Sequence, residues 1–303
     1  MAVRNGEDFL DQAIASIHSQ SLRDLELIVV DNGSRDATPS ILAGWAGRDP
    51  RIRVVQLARP GLARSLNFAA SMARGPLYAR LDADDIAEPN RLERQRAALI
   101  ADATLGAIGS NASLIDHRGR HLGEVRRPAG RLAVRRFLAS GNPFVHSSMM
   151  FRRSLFEQVG GYRDGLRATE DLDLWLRMAE ISELDLLPEL LVRYRLHSRS
   201  MMGRQRIRVA LAETCARAAT VARRTGKAEP FASGRPQLRR ALLLLEVDRD
   251  AFRRQFRERA RRQRLELLYL LLPLPSGLKA SLRAALIALG LKALYGWVLA
   301  RGR

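Results

Sequence analysis

Apolar side chains recur in two alternating rhythms over the first 200 residues. Phe9, Leu10, Ala13, Ile14 and Ile17 fall three and four apart, on one face of a helix. Leu25-Glu-Leu-Ile-Val-Val30 is a short run rich in β-branched residues, stopped by Asp31-Asn-Gly-Ser34, and predicts a buried strand ending in a turn. A helix is expected over 34–44, with Pro39 near its first turn, then a strand over 52–57 and a helix over 62–73 that Gly75-Pro76 breaks. A strand over 77–81 runs into Asp82-Ala-Asp-Asp85, and Pro89 opens a helix reaching about residue 101. Strands separated by helices of this length predict right-handed βαβ units, hence an α/β fold with a mostly parallel sheet flanked by helices. From about residue 204 the rhythm changes to arginine-dense helical segments, 205–224 and 237–266, followed by the apolar stretches 265–274 and 281–300. The expected division is 1–200 for the α/β domain and 201–303 for a helical extension.

The chain of 303 residues is 47% apolar and 27% charged, which is globular and not disordered. One cysteine, Cys215, excludes a disulfide framework and a four-cysteine zinc site. The first residues carry charge from Arg4 on and contain no apolar leader, so no signal peptide is expected. No window reaches about 18 uncharged apolar residues, so no simple transmembrane span is expected. The net charge of +19 is uneven, at +3 over 1–200 and +16 over 201–303.

Ligands of open α/β sheets bind outside the carboxyl ends of the strands. Two acidic turns fall there, Asp31 and Asp82–Asp85, and the alternation itself does not require acids at either. Three carboxylates within one turn repel unless a cation neutralises them, which a hard divalent ion with oxygen ligands would do. The plain alternative is a solvated turn capping the next helix. Glu170-Asp171-Leu-Asp173 is a second cluster, at a predicted helix start where acids also serve the helix dipole; Leu172, Trp175 and Leu176 read as core. His197 follows the apolar run 190–196 and could be a metal ligand or an ordinary exposed histidine. His146, within Pro143-Phe-Val-His-Ser-Ser, could meet a phosphate or a hydroxyl, or satisfy a backbone group. No G-x-G-x-x-G follows the first strand, and G-x-x-x-x-G-K-[ST] and G-x-S-x-G are absent, which argues against a dinucleotide dehydrogenase, a P-loop NTPase and an α/β-hydrolase.

In order along the chain, these segments resemble an inverting family 2 glycosyltransferase of the GT-A fold. The resemblance is carried by Asn5-Gly-Glu, by Glu26-Leu-Ile-Val-Val-Asp-Asn-Gly-Ser-Arg-Asp36, and by Leu62-Ala-Arg-Ser-Leu-Asn67 with Ala73-Arg-Gly75. It continues through Ala79-Arg-Leu-Asp-Ala-Asp-Asp85, Phe151-Arg-Arg-Ser154, Val159-Gly-Gly-Tyr162, Thr169-Glu-Asp-Leu-Asp-Leu-Trp175 and Tyr194-Arg-Leu-His197. It implies a Rossmann-like nucleotide-binding half in which Asp31 contacts the base, with Asn5, Arg64 and Asn67 on the nucleotide side. Asp82 would lie by the ribose or diphosphate. Asp84, with Asp82 and His197, would hold Mg²⁺ or Mn²⁺. Asp171 would be the general base with Glu170 beside it, and His146 and Trp175 would touch acceptor or phosphate. The implied reaction moves a sugar from a nucleotide-diphosphate sugar to a glycan or lipid-linked acceptor, in polysaccharide biosynthesis, on the cytoplasmic side as a peripheral membrane protein. Two features depart from the pattern. Only Met1-Ala-Val-Arg-Asn5 precedes the first helix where a full strand is usual, so the first strand reads as truncated, and Asn32 replaces the second acid of its turn.

The basic 201–303 region points to an anionic membrane surface, with Tyr295 and Trp297 as interfacial anchors, or to a helical cap packed on the body. Nucleic acid is disfavoured, because few aromatics interleave the arginines and no known binding signature is present. The rival functional readings are a degenerate, non-catalytic binding or scaffold protein and a nucleotidyltransferase.

Overall fold

A computed structural model describes residues 1–57, 61–166, 169–197, 206–232, 235–237, 241 and 244. Its first half is the predicted alternation. β1 (Ala2–Val3), β2 (Leu27–Asp31) and β3 (Ile52–Gln56) form a parallel sheet in that order. α1 (Leu10–His18), α2 (Thr38–Arg48) and α3 (Leu62–Met72) connect and cover it. The two faces of β2 separate by alternation. Leu27 and Val29 pack with Leu10, Ala13, Ile14, Ile17 and Leu42, while Ile28 and Val30 pack with Ala69 on the α3 side. Each such side chain, fully buried, contributes about 1.5–3 kcal/mol, which is why a strand apolar on both faces belongs inside the sheet.

The second half adds β4 (Leu77–Ala79), β5 (Ile86–Ala87), α4 (Arg91–Ala101), β6 (Leu105–Ile115), β7 (His121–Val125) and α5 (Arg131–Leu138). β8 (Met150–Arg152), α6 (Arg153–Gln158), α7 (Glu170–Met178) and β9 (Glu183–Arg195) follow. The second sheet has the order β4-β8-β6-β9-β5, with β7 beside β6. Here the expected strand sense needs correction. The fold is α/β as predicted, but only β6 and β9 run parallel in this sheet, and its other pairs are antiparallel. The reason is local. The helix-by-helix alternation ends at residue 101, and β6 returns directly as β7 through a turn at Gly119 (φ 81°), a connection that only antiparallel strands allow. β9 also starts earlier than the expected 190–196 run, because Glu183–Leu187 pairs along β6 with Leu184 and Leu186 buried.

No strand pairing joins the two sheets among the described residues. Between β2 and β4 lies a cavity of about 560 Å³ whose lining includes Ile28, Leu66, Ala70, Leu77, Tyr78 and Met1. The Met1 amine donates to the Ile28 carbonyl at 2.8 Å, and burial beside the Arg80 guanidinium pushes it down to about 5. β1 is two residues long and pairs Ala2 with Val30 and Val3 with Asp31.

α8 (Arg206–Arg224) packs on α7, burying Ala212, Cys215, Ala216, Ala219 and Ala222. Arg223 pairs with Glu180 and Glu229 at 2.8 Å, and Arg217 Nη1 donates to the Leu138 carbonyl at 2.7 Å. A small hairpin, β10 (Phe231–Ala232) and β11 (Arg235–Pro236), follows. Among the described residues no helix is long and apolar enough to cross a membrane. The division near 200, the apolar stretches 265–274 and 281–300, and Tyr295 and Trp297 lie outside the described residues.

Candidate active site

The 82–85 turn follows β4, and its three acids point different ways. Arg80 is buried and its guanidinium pairs with the Asp82 carboxylate. The Ser147 hydroxyl donates to Asp82 Oδ2 at 3.0 Å and accepts the Asp82 N–H at 3.0 Å. Burial alone would raise Asp82, but the Arg80 charge, with Ser147, holds its carboxyl below the ordinary value. Asp84 turns outward and its Oδ2 lies 2.9 Å from His197 Nε2. Asp85 turns inward. Its Oδ1 accepts the Arg195 N–H at 2.8 Å, and its Oδ2 has no partner among the described residues. Burial, then the charges of Asp84 and Asp82, push the Asp85 carboxyl well above the usual range. Arg195 laces this corner together. Its Nε donates to the Asp84 carbonyl at 2.8 Å, and its guanidinium carbon lies 4.6 Å from the centre of the Phe9 ring, which is itself 5.0 Å from the His197 ring.

The second acidic cluster opens α7. Its third acid, Asp173, is buried and paired with Arg177 at 2.7 Å, so it serves the core. Glu170 and Asp171 face the other turn. Burial pushes both carboxyls up, and the charge of Asp82 pushes each further, which puts the 82–85 turn and the start of α7 in one electrostatic unit. The Leu172 N–H donates to Asp171 Oδ1 at 2.7 Å, and Asn142 Nδ2 donates to Asp171 Oδ2 at 2.8 Å. A carboxyl raised this way sits closer to working pH, where a general base is most effective.

His146 Nε2 and the Tyr162 hydroxyl share a hydrogen bond of 2.8 Å. Burial beside Arg80 pushes His146 down to about 3, so its imidazole is neutral, and burial keeps the Tyr162 phenol protonated. Trp175 is wholly buried, edge-on to Phe144 at 5.9 Å and Phe151 at 5.7 Å. It stands behind the site as core, with its ring 6.1 Å from that of His146. Arg64 and Asn67, one turn apart on α3, both grip the loop after α6. Arg64 pairs with Asp164 at 2.6 Å, and Asn67 holds both the carbonyl and the N–H of Tyr162, at 2.7 and 2.8 Å. Asp31 and Asn5 meet at Ser34. Asp31 Oδ1 accepts the Ser34 hydroxyl at 2.6 Å, while Asn5, at φ 53°, donates its N–H to Ser34 Oγ at 2.9 Å.

The structure thus gathers Asp82, Asp84, Glu170, Asp171, His146 and His197 around one region, and places Asp31 and Asn5 together at the end of β2. Sequence reasoning missed Arg80, Ser147, Asn142 and Arg195. Arg80 carried a readable signal, since it stands only two residues before Asp82, close enough along the chain for its guanidinium to meet that carboxylate. Among the described residues no group of three or more His, Cys, Asp or Glu is arranged to hold a metal. Asp84 and His197 nevertheless suit a cation that takes one carboxylate and one imidazole from the protein and its remaining ligands from substrate phosphates and water. Asp82 suits it less, because Arg80 already supplies its positive charge.

The family model described as Glycosyl transferase family 2 matches residues 1–160. The chain is 37% identical over 188 residues to the putative glycosyltransferase EpsE of Bacillus subtilis (strain 168), covering 59% of this chain and 65%, just under two thirds, of that protein. It is 31% identical over 204 residues to the O-antigen biosynthesis glycosyltransferase WbnJ of Escherichia coli, covering 66% of this chain and 79% of that protein. In fold it is similar to S. aureus TarS in complex with UDP-GlcNAc, with TM-score 0.62, 15% identity, and coverage of 88% and 78%. It is also similar to the mannosyltransferase PcManGT of Pyrobaculum calidifontis in complex with GDP-Man and Mn²⁺, with TM-score 0.60, 24% identity, and coverage of 97% and 80%.

Proposed function

The chain belongs to glycosyl transferase family 2, and on that premise we propose that it is a metal-dependent, inverting glycosyltransferase that moves a sugar from a nucleotide-diphosphate sugar to a hydroxyl of a glycan or lipid-linked glycan. The observation that carries this reading is the convergence of two acidic elements distant in sequence. The Asp84–His197 pair sits at a strand end, and Glu170 and Asp171 open α7 within reach of the charge of Asp82. One group can meet a diphosphate while the other meets an acceptor.

Asp171, ionised, takes the proton of the acceptor hydroxyl as that oxygen attacks the anomeric carbon. The bond from that carbon to the diphosphate oxygen breaks on the opposite face, and its electron pair leaves with the nucleoside diphosphate. Attack opposite the leaving group inverts the centre. Asp84 and His197 would hold a Mg²⁺ or Mn²⁺ ion, which when bound neutralises charge developing on the diphosphate. Asp31 and Asn5, at the end of β2, would border the nucleotide. PcManGT and TarS, each solved with a nucleotide sugar, support this donor class, and the Mn²⁺ with PcManGT supports the metal. The name of WbnJ, an O-antigen biosynthesis glycosyltransferase, supports a role in cell-envelope polysaccharide synthesis. The net +16 of residues 201–303 would draw the enzyme to an anionic leaflet, which salt-sensitive flotation with anionic but not neutral vesicles would reveal.

The test is a thermal-shift titration with UDP, GDP, dTDP and CMP, each with and without Mn²⁺, followed by nucleoside diphosphate release from the matching sugar donor. A shift that needs both one nucleotide and Mn²⁺, with turnover lost in Asp171→Asn, is the expected result. Absence of any shift would favour a non-catalytic scaffold, and pyrophosphate release from a nucleoside triphosphate would favour nucleotidyl transfer.

A further inference from the structure

Asn142 lies in the loop between α5 and β8, 29 residues before Asp171. Its two side-chain contacts orient each other. The Phe144 N–H reaches Asn142 Oδ1 at 3.1 Å, and a backbone N–H can only donate, so the amide oxygen must face it. The amide nitrogen is thereby turned to Asp171 Oδ2, at 2.8 Å. The other carboxylate oxygen, Oδ1, accepts the Leu172 N–H at 2.7 Å. Asp171 is therefore gripped at both oxygens, once by its own helix and once by a distant loop.

The loop is itself held in place. Pro143 restricts its backbone, and the buried Phe144 packs edge-on against Trp175, one turn after Asp171 on α7. Loop and helix thus share an aromatic joint on the core side and an amide–carboxylate bond on the site side.

We propose that Asn142 is the positioning residue of the proton-accepting carboxylate, aiming Asp171 Oδ2 and stabilising its ionised form. This rests on the assignment of Asp171 as general base. The groups facing Asp171 otherwise oppose its charge. They are Glu170 beside it, Asp82 from the strand-end turn and Glu213 from α8, with the phenols of Tyr162 and Tyr194 close by and Arg80 acting on Glu170. Burial adds to the same side. Against them stand the Leu172 N–H, which any residue at 172 except proline would supply, and Asn142, which is specific. Asn142 touches no reacting atom, so its effect must pass through Asp171.

The experiment follows the Asp171 side-chain carboxyl carbon by NMR titration of the full chain, assigned by its loss in Asp171→Asn. In Asn142→Ala the midpoint is expected to rise by about one pH unit, the scale of one lost hydrogen bond to an ionised group. Asn142→Asp, which keeps the shape, is expected to raise it at least as far, because a fourth carboxyl then faces Asp171. A midpoint unchanged in both folded variants would overturn the proposal and leave Asn142 a loop-building residue. If Asn142→Ala does not fold, Asn142→Ser, uncharged and too short to reach Asp171 Oδ2, takes its place. The base assignment fails separately, if Asp171→Asn retains the parent's nucleoside diphosphate release. A lost release in that variant together with unmoved midpoints would sink the Asn142 role only.

Discussion

Asp84 and His197 lie 113 residues apart in the chain and 2.9 Å apart in space. One lies in the turn after β4 and the other follows β9. Arg195 brings them together by binding the Asp84 carbonyl, the Asp85 carboxylate and the Phe9 ring at once.

Removing either partner should weaken any cation held there. Asp84→Ala and His197→Ala are each expected to lower Mn²⁺-supported nucleoside diphosphate binding at least tenfold, with binding in EDTA unchanged. Titration calorimetry with and without Mn²⁺ reads this directly. Equal affinity with and without metal in the parent chain would contradict the metal assignment.

Asp171→Asn should separate activity from stability. Turnover is expected to fall by about 10²–10⁴-fold, the usual cost of a lost general base. Stability should move the other way. Burial lifts the Asp171 carboxyl to about 6 in the folded chain, above its ordinary value of 3.8, so folding favours the neutral form. That contribution is present in full below pH 4 and is lost as pH rises through 6. The variant should therefore be more stable than the parent at pH 8, on the order of 1–2 kcal/mol after allowing for its partial exposure, and the gap should close toward pH 4. Urea denaturation at the two pH values measures it.

Arg80 and Asp82 form a pair that should tolerate loss of both partners better than loss of one. Arg80→Met leaves the Asp82 carboxylate without its cation and should cost about 2–3 kcal/mol, less than for a fully buried pair because Asp82 is partly exposed. Adding Asp82→Asn should recover part of that loss. A double variant as unstable as the sum of the two singles would show that the pair contributes no coupling.

The first sheet could be read from sequence because its information is local. The β-branched run ending at Val30, the helical spacing of Leu10, Ala13, Ile14 and Ile17, and the turn at Asp31-Asn-Gly-Ser34 each specify their own element, and parallel pairing follows from the helices between them. The candidate acids were also visible, since carboxylates at strand ends and in a helix's first turn stand out against the apolar rhythm. What each acid does was not. Asp82, Asp84 and Asp85 are equivalent in a string of letters, but the fold gives one to Arg80, one to His197 and one to the interior. Asp173 goes to Arg177, while Asp171 goes to Asn142. Trp175 belongs to the core and Asn67 to the backbone of Tyr162. Strand sense in the second sheet, the cavity beside Met1 and the shared field of Asp82 and Asp171 were likewise settled by tertiary contact. Apolar periodicity acts over one or two turns of chain, so sequence determines elements and candidate acids. Charge and hydrogen bonding act through space between segments a hundred residues apart, so only the folded chain decides which acid meets which partner.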